Sequence, residues 1–162
     1  MAANLITVTI TNRQRKLPID RQRMRRAVQA IVHDAGIAEA RIGVAVVDDP
    51  AIAKLHEEFL NDPDPTDVLS FVLEHSPQAL EGEVVVSADT ARALALQYGA
   101  TAEDELLLYI IHGTLHLVGY DDTTPRKRAI MRQQEQKYLA QYEQNKTRKN
   151  HGGFATKEDS TE

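Results

Sequence analysis

TAEDELLLYIIHGTLHLVGYDD, residues 101–122, is the stretch around which the rest of the chain can be organised. From about 102 to 118 its apolar residues run nearly all round the helical repeat: Leu106, Leu107, Leu108, Tyr109, Ile110, Ile111, Leu115, Leu117 and Val118. A helix of that kind belongs in the centre of a domain. Thr101, with Asp104 three residues on, has the form of a capping box and marks the helix start. Near the other end stand His112 and His116. Four residues is just over one turn, so both imidazoles lie on one face and can meet one metal ion without bending the backbone. Gly119 permits a left-handed reversal that other residues resist. Asp122 sits where that reversal would return a third ligand. Two histidines, one carboxylate and an open position form the donor set of a catalytic zinc site rather than a closed structural one.

The plainer alternative is a pair of buried histidines satisfied by the protein itself. Each neutral imidazole brings one donor and one acceptor, and leaving such a group unpaired costs about 1–3 kcal/mol. One buried histidine is commonly met by a backbone group. Two at this spacing, followed by a glycine turn and an acid, favour a shared ion. Asp121 competes with Asp122 for the third position. His33 reads as a helix-end group, and His56, His75 and His151 as solvated side chains. Thr66, Asp67 and Ser70 could turn toward the same cleft, although Asp67 serves equally well as a cap in a loop with two prolines.

Outward from the central helix, residues 5–10 are β-branched and alternating, as in a strand. Asp20 caps a helix running to about Asp34, with Met24, Ala27, Val28 and Ile31 on its apolar face. Residues 41–47 form a second strand, and Pro50 opens a helix through about Leu60. The segment NDPDPTD, 61–67, breaks regular structure with its two prolines. A third strand, VLSFVLE, follows at 68–74. A loop is expected over 76–82, then a fourth strand at 83–87. Ser87 or Asp89 caps a helix to Tyr98, ended by Gly99. A last helix spans 125–142. The polar stretch from Gln141 onward has few core-formers, and disorder is expected there. There is no internal repeat. The expectation is a single α+β domain over 1–140 with a mixed four-stranded sheet packed on a buried central helix, and a tail over 141–162.

The 162 residues suffice for one ordinary domain, and a 42% hydrophobic share suffices for a core. Cysteine is absent, which excludes disulfides and any cysteine-based zinc site. No stretch is long and apolar enough to cross a bilayer, and the N-terminus lacks the pattern of a signal peptide. A cytoplasmic protein is expected. The net charge of −5 is a slight argument against nucleic-acid binding, and no DNA partner is expected, but the charge is unevenly distributed. Residues 1–35 carry seven bases against two acids, and residues 36–105 carry three bases against fifteen acids. The basic N-terminal region is either a phosphate-binding face or a solvated helix face.

The spacing HxxxHxxGxxD is similar to the zinc signature of metzincin proteases. Those enzymes place a glutamate general base directly after the first histidine. Gly113 stands there instead, so a peptidase mechanism lacks its base.

A closer resemblance is to the YbeY family of endoribonucleases, which are rRNA maturation factors. HGTLHLVGYDD resembles that family's HGxLHLxGYDH signature. PTDVLSF at 65–71 resembles its second motif, and GEVVVS at 82–87 its Gly-Asp-Ile strand. Tyr98-Gly99 and Glu105-Leu106 also fit, so the resemblance spans about residues 5–140. It implies a zincin-like fold and a metal-dependent endoribonuclease specific for single strands. It also implies processing of the small-subunit rRNA 3′ end, a role in ribosome quality control, and one zinc ion per chain. The family's three metal-binding histidines fall on His112, His116 and Asp122, with the attacking water held by that ion and no general base identified.

Two departures stand out. Asp122 replaces a histidine, which keeps an accepted zinc ligand but makes ion-bound water less acidic and metals such as Mn²⁺ more plausible. Leu60 replaces an arginine common in the family, a plausible phosphate contact that Arg126 or the N-terminal bases could replace. The departure at Leu60 leaves open a second class of function, a non-catalytic ribosome-assembly factor with a structural metal site.

Overall fold

The computed structural model describes residues 5–60, 68–76 and 79–142. Their order is β1 (Leu5–Asn12), α1 (Arg21–Asp34), β2 (Glu39–Val47), α2 (Asp49–Leu60), β3 (Val68–His75), β4 (Ala79–Ser87), α3 (Ala88–Tyr98), α4 (Ala102–Leu117) and α5 (Pro125–Tyr142). The strands form one mixed sheet in the order β1-β2-β4-β3. β1, β2 and β4 run parallel, and β3 is antiparallel to β4 at one edge. Parallel neighbours need a crossover connection, and α1 provides it between β1 and β2.

The expected α+β architecture is the observed one. α4 lies between the sheet and two other helices. One side of it meets Val84, Val86, Val44 and Ile42 through Leu106, Ile110 and Leu117. The opposite side packs Leu107, Ile111 and Leu115 against Ala27 and Ile31 of α1 and Met131 and Tyr138 of α5. Every residue from Asp104 to Leu115 is buried. This explains a sequence that is apolar all round: the helix has no solvent face to make polar. α2 covers the far side of the sheet, where Ile52 meets Val47, Leu69 and Val85. No helix among the described residues is long and apolar enough to cross a membrane.

The helix starts follow the side chains expected to set them. Asp20 accepts from the Arg23 amide at 3.1 Å, and Ser87, not Asp89, accepts from Thr90 at 3.1 Å. Asp89 instead accepts the Asp49 amide at 2.8 Å, tying α3 to α2. Thr101 caps α4 by accepting from the Asp104 amide at 3.1 Å. The Asp104 carboxylate has a task beyond a capping box: Arg23 of α1 donates to it at 2.8 Å, and the same guanidinium nitrogen donates to the Tyr142 carbonyl at 3.1 Å.

The strand boundaries differ from expectation: β1 runs on to Asn12 and β2 already begins at Glu39. β4 begins at Ala79, inside the expected loop, because Leu80, Val84 and Val86 share one buried face that carries the strand through Gly82. His75 ends β3 rather than lying in a loop. α5 runs to Tyr142 as expected, so its last two residues are also the first two of the expected tail. The rest of that tail, with His151, and the proline segment with Thr66 and Asp67 lie outside the described residues, as does the Leu60 side chain.

The Arg23–Asp104 pair joins α1 to the start of α4, with Asp104 fully buried. Removing one partner of a buried pair strands the other charge. Asp104→Ala is expected to lower the unfolding free energy by about 3–5 kcal/mol in urea denaturation.

Candidate metal centre

The last turns of α4 leave the apolar core at the edge of the sheet, and His112 and His116 occupy the face that emerges. His112 is buried and His116 half-buried. Their rings meet edge to face with centroids 4.6 Å apart, and their Nε2 atoms lie 3.1 Å from one another. Past the Val118 cap, the Gly119 amide donates to His116 and the Tyr120 amide to Leu115. Gly119 takes φ = 111°, a value side-chain-bearing residues avoid, and the chain turns back toward the histidines. Asp122 arrives with Oδ2 at 3.7 Å from both Nε2 atoms. Arg128 donates to the Asp122 carbonyl at 3.3 Å and steadies the returning segment.

The two adjacent acids face different partners. Asp121 accepts from the Thr123 amide at 3.2 Å and from the Thr123 hydroxyl at 3.0 Å, and it pairs with Lys127 at 3.4 Å. The backbone hydrogen bond from Thr123, first among these, holds its carboxyl below the usual carboxylate range. Asp122 is the acid grouped with the histidines, and one potential ligand atom from each of His112, His116 and Asp122 lies within 4.8 Å of the others.

These residues fit a small divalent ion by their donor chemistry. Metal–nitrogen distances of 2.0–2.1 Å around a tetrahedral centre place ligand atoms about 3.3 Å apart. Separations of 3.1 and 3.7 Å bracket that value. Burial pushes the His116 imidazole below its ordinary pKa, assisted by His112 and opposed by Asp122. That direction favours the neutral ring, the form that can ligate.

Sequence reasoning missed Glu135. This residue of α5 is 3% exposed, and its carboxylate pairs with Nδ1 of His112. A carboxylate only accepts, so in this pairing Nδ1 carries the proton and the Nε2 lone pair points toward His116 and Asp122. Carboxylates behind ligand histidines orient the ring and raise its basicity. The signal was in the sequence. Met131, Glu135 and Tyr138 are the buried positions of α5, at helical spacing, and Glu135 is the acid among them. Among the other candidates, Ser70 turns toward α4, where its hydroxyl donates to the Gly113 carbonyl at 2.9 Å. His33 and His75 are exposed and His56 is partly exposed, away from the cluster.

Gly113 is a point of close approach. A Cβ there would lie 2.6 Å from Val84, 2.9 Å from Val68 and 3.0 Å from the Ser70 hydroxyl. The position where metzincin proteases carry a glutamate is therefore closed by β3 and β4.

The chain is similar to known proteins of one family. The family model described as endoribonuclease YbeY matches residues 9–143. Endoribonuclease YbeY of Rhodopirellula baltica is 44% identical over 102 residues, covering 62% of this chain but only 53% of that protein. The Chloroherpeton thalassium protein of the same name is 35% identical over 125 residues, covering 77% of this chain and 88% of its own. The Syntrophus aciditrophicus protein is 34% identical over 139 residues, covering 81% and 86%. A solution structure of a Thermotoga maritima protein shares the fold, with a TM-score of 0.60 at 23% identity, over 95% of this chain and 93% of that one.

Two substitutions probe the arrangement. Gly113→Ala is expected to cost about 1–3 kcal/mol of stability by lifting α4 from the sheet, read as a lowered denaturation midpoint. Glu135→Gln is expected to weaken affinity for added Zn²⁺ by about 10–100-fold in competition with a chromogenic chelator, with the fold intact by circular dichroism.

Proposed function

The chain belongs to the YbeY endoribonuclease family, and on that premise we propose that it is a metal-dependent hydrolase of phosphodiester bonds in single-stranded RNA. Its ion, zinc in this reading, is held by His112, His116 and Asp122. The observation that carries the proposal is the convergence of these three donors, 3.1 and 3.7 Å apart, at the open end of a buried helix. When bound, the ion supplies Lewis acidity toward a phosphoryl oxygen and toward water. His112 and His116 bring neutral nitrogen donors, with Glu135 fixing the first ring. Asp122 adds a negative charge that tempers the Lewis acidity and widens the choice of metal toward Mn²⁺. The position after His112 has no side chain that could move a proton.

Cations stand close by. Arg126, Lys127 and Arg128 fall in the first turn of α5, directly after the segment that carries Asp122. Lys127 already pairs with Asp121, and Arg128 holds the Asp122 backbone. This cluster suits the phosphates flanking a scissile bond. It supports the view that a phosphate grip does not depend on an arginine at position 60. By family relation the proposed substrate is rRNA of the small subunit, in 3′-end processing and ribosome quality control in the cytoplasm.

Protein purified without added metal is expected to contain about one equivalent of zinc by elemental analysis. Asp122→Ala is expected to lose that ion and to cut single-stranded RNA about 100-fold more slowly or worse. Equal cutting by the variant would refute the mechanism. An ion present in a parent protein that never cuts RNA would point to the assembly-factor role instead, which the leucine at position 60 favours.

A further inference from the structure

A cleft of about 370 Å³ lies against the two histidines. Val68, Ser70 and Val72 of β3 line it together with His112, His116 and Leu117 of α4. Its size falls within the range of small-molecule sites. We infer that this cleft is a subsite for one unpaired nucleobase next to the scissile phosphate, with Val72 and Leu117 as its apolar walls. The inference rests on the RNA-cleaving function proposed above.

Register and packing place the walls. Val72 pairs with Gly82 across the β3–β4 ladder, and directly opposed residues present their side chains on the same sheet face. A Cβ on Gly82 would lie 3.0 Å from a Leu117 methyl, so Leu117 settles onto the sheet at that glycine. Val72 and Leu117 therefore flank one spot. Leu117 is buried, whereas Val72 is 51% exposed, a large apolar side chain facing solvent beside a polar centre. Past Val72 the register shifts before Glu74, so the regular ladder ends at the cleft.

Among the described residues β3 pairs with β4 alone, so its outer edge offers backbone donors and acceptors along the cleft wall. Apolar walls with hydrogen-bonding groups at the rim match the chemistry of a nucleobase, which has two flat faces and a polar edge. A base already paired and stacked in a duplex presents neither to such a cleft. The arrangement therefore selects single strands. An extended peptide is the other occupant an open strand edge can take. The proposed ligand histidines in the cleft wall, in a chain of an endoribonuclease family, favour the nucleotide.

The test is binding of a short single-stranded oligoribonucleotide to the full chain, read by fluorescence anisotropy. A series carries one abasic nucleotide at each position in turn. For the parent protein, removing the base at one particular position is expected to weaken binding about fivefold. Val72→Ser is expected to bind the intact strand about as weakly as the parent binds that abasic strand, with no further loss when the base is absent. Leu96→Ser, on the exposed surface of α3, is expected to behave as the parent. Equal affinity for all abasic strands, or a Val72→Ser protein that keeps the parent's positional sensitivity, would overturn the subsite. Cleavage followed on the same samples separates the two proposals. Cutting without positional sensitivity discards the subsite and keeps the nuclease. Positional sensitivity without cutting keeps the subsite and discards the nuclease.

Discussion

An imidazole buried on an apolar helix must have both of its nitrogens accounted for, and His112 meets that demand on two sides. Glu135 of α5 takes Nδ1, and Nε2 faces His116 and Asp122. The first contact fixes the ring by joining two helices through the core. The second brings three donors together at the surface. The reversal at Gly119, the packing of α5 and the close seat of α4 on the sheet all serve to hold that one ring in place.

The sheet contributes through its order. β3 is an edge strand, so the end of α4 that carries the histidines emerges beside an open side of the sheet rather than in its middle. Gly113 and Gly82 let helix and sheet approach so closely that Leu117 and Val84 fill the space between them. The same closeness that leaves no room for a peptidase base at position 113 brings β3 alongside the histidines. One steric cause thus closes position 113 and sets β3 beside the histidines.

Much of this was legible in the sequence because the deciding signals were local. The all-round apolarity of 106–118 announced a central helix, and the i, i+4 histidines with their glycine turn announced the cluster. Asp20 and Ser87 stood where cap residues stand. What escaped reading depended on contacts between distant segments. Glu135 looked like one more charge on a polar helix, since its partner lies 23 residues away. Asp104 looked like half of a capping box because Arg23 is 81 residues distant. The start of β4 was hidden by Gly82, whose small size reads as a loop signal until Leu117 is seen resting on it. The motif resemblance already favoured Asp122 over Asp121, and the structure groups Asp122 with the histidines while Thr123 and Lys127 hold Asp121.

His112, His116 and Asp122 all lie on one short stretch of backbone, whereas Glu135 comes from a later helix. The entropic penalty for closing a chain loop rises only with the logarithm of its length, so neighbours so near in order stay near even in a denatured coil. Proximity is therefore something this segment has before it folds. Orientation is what the native state adds, because only the assembled α4–α5 pair delivers a distant carboxylate to lock one ring's tautomer and direction.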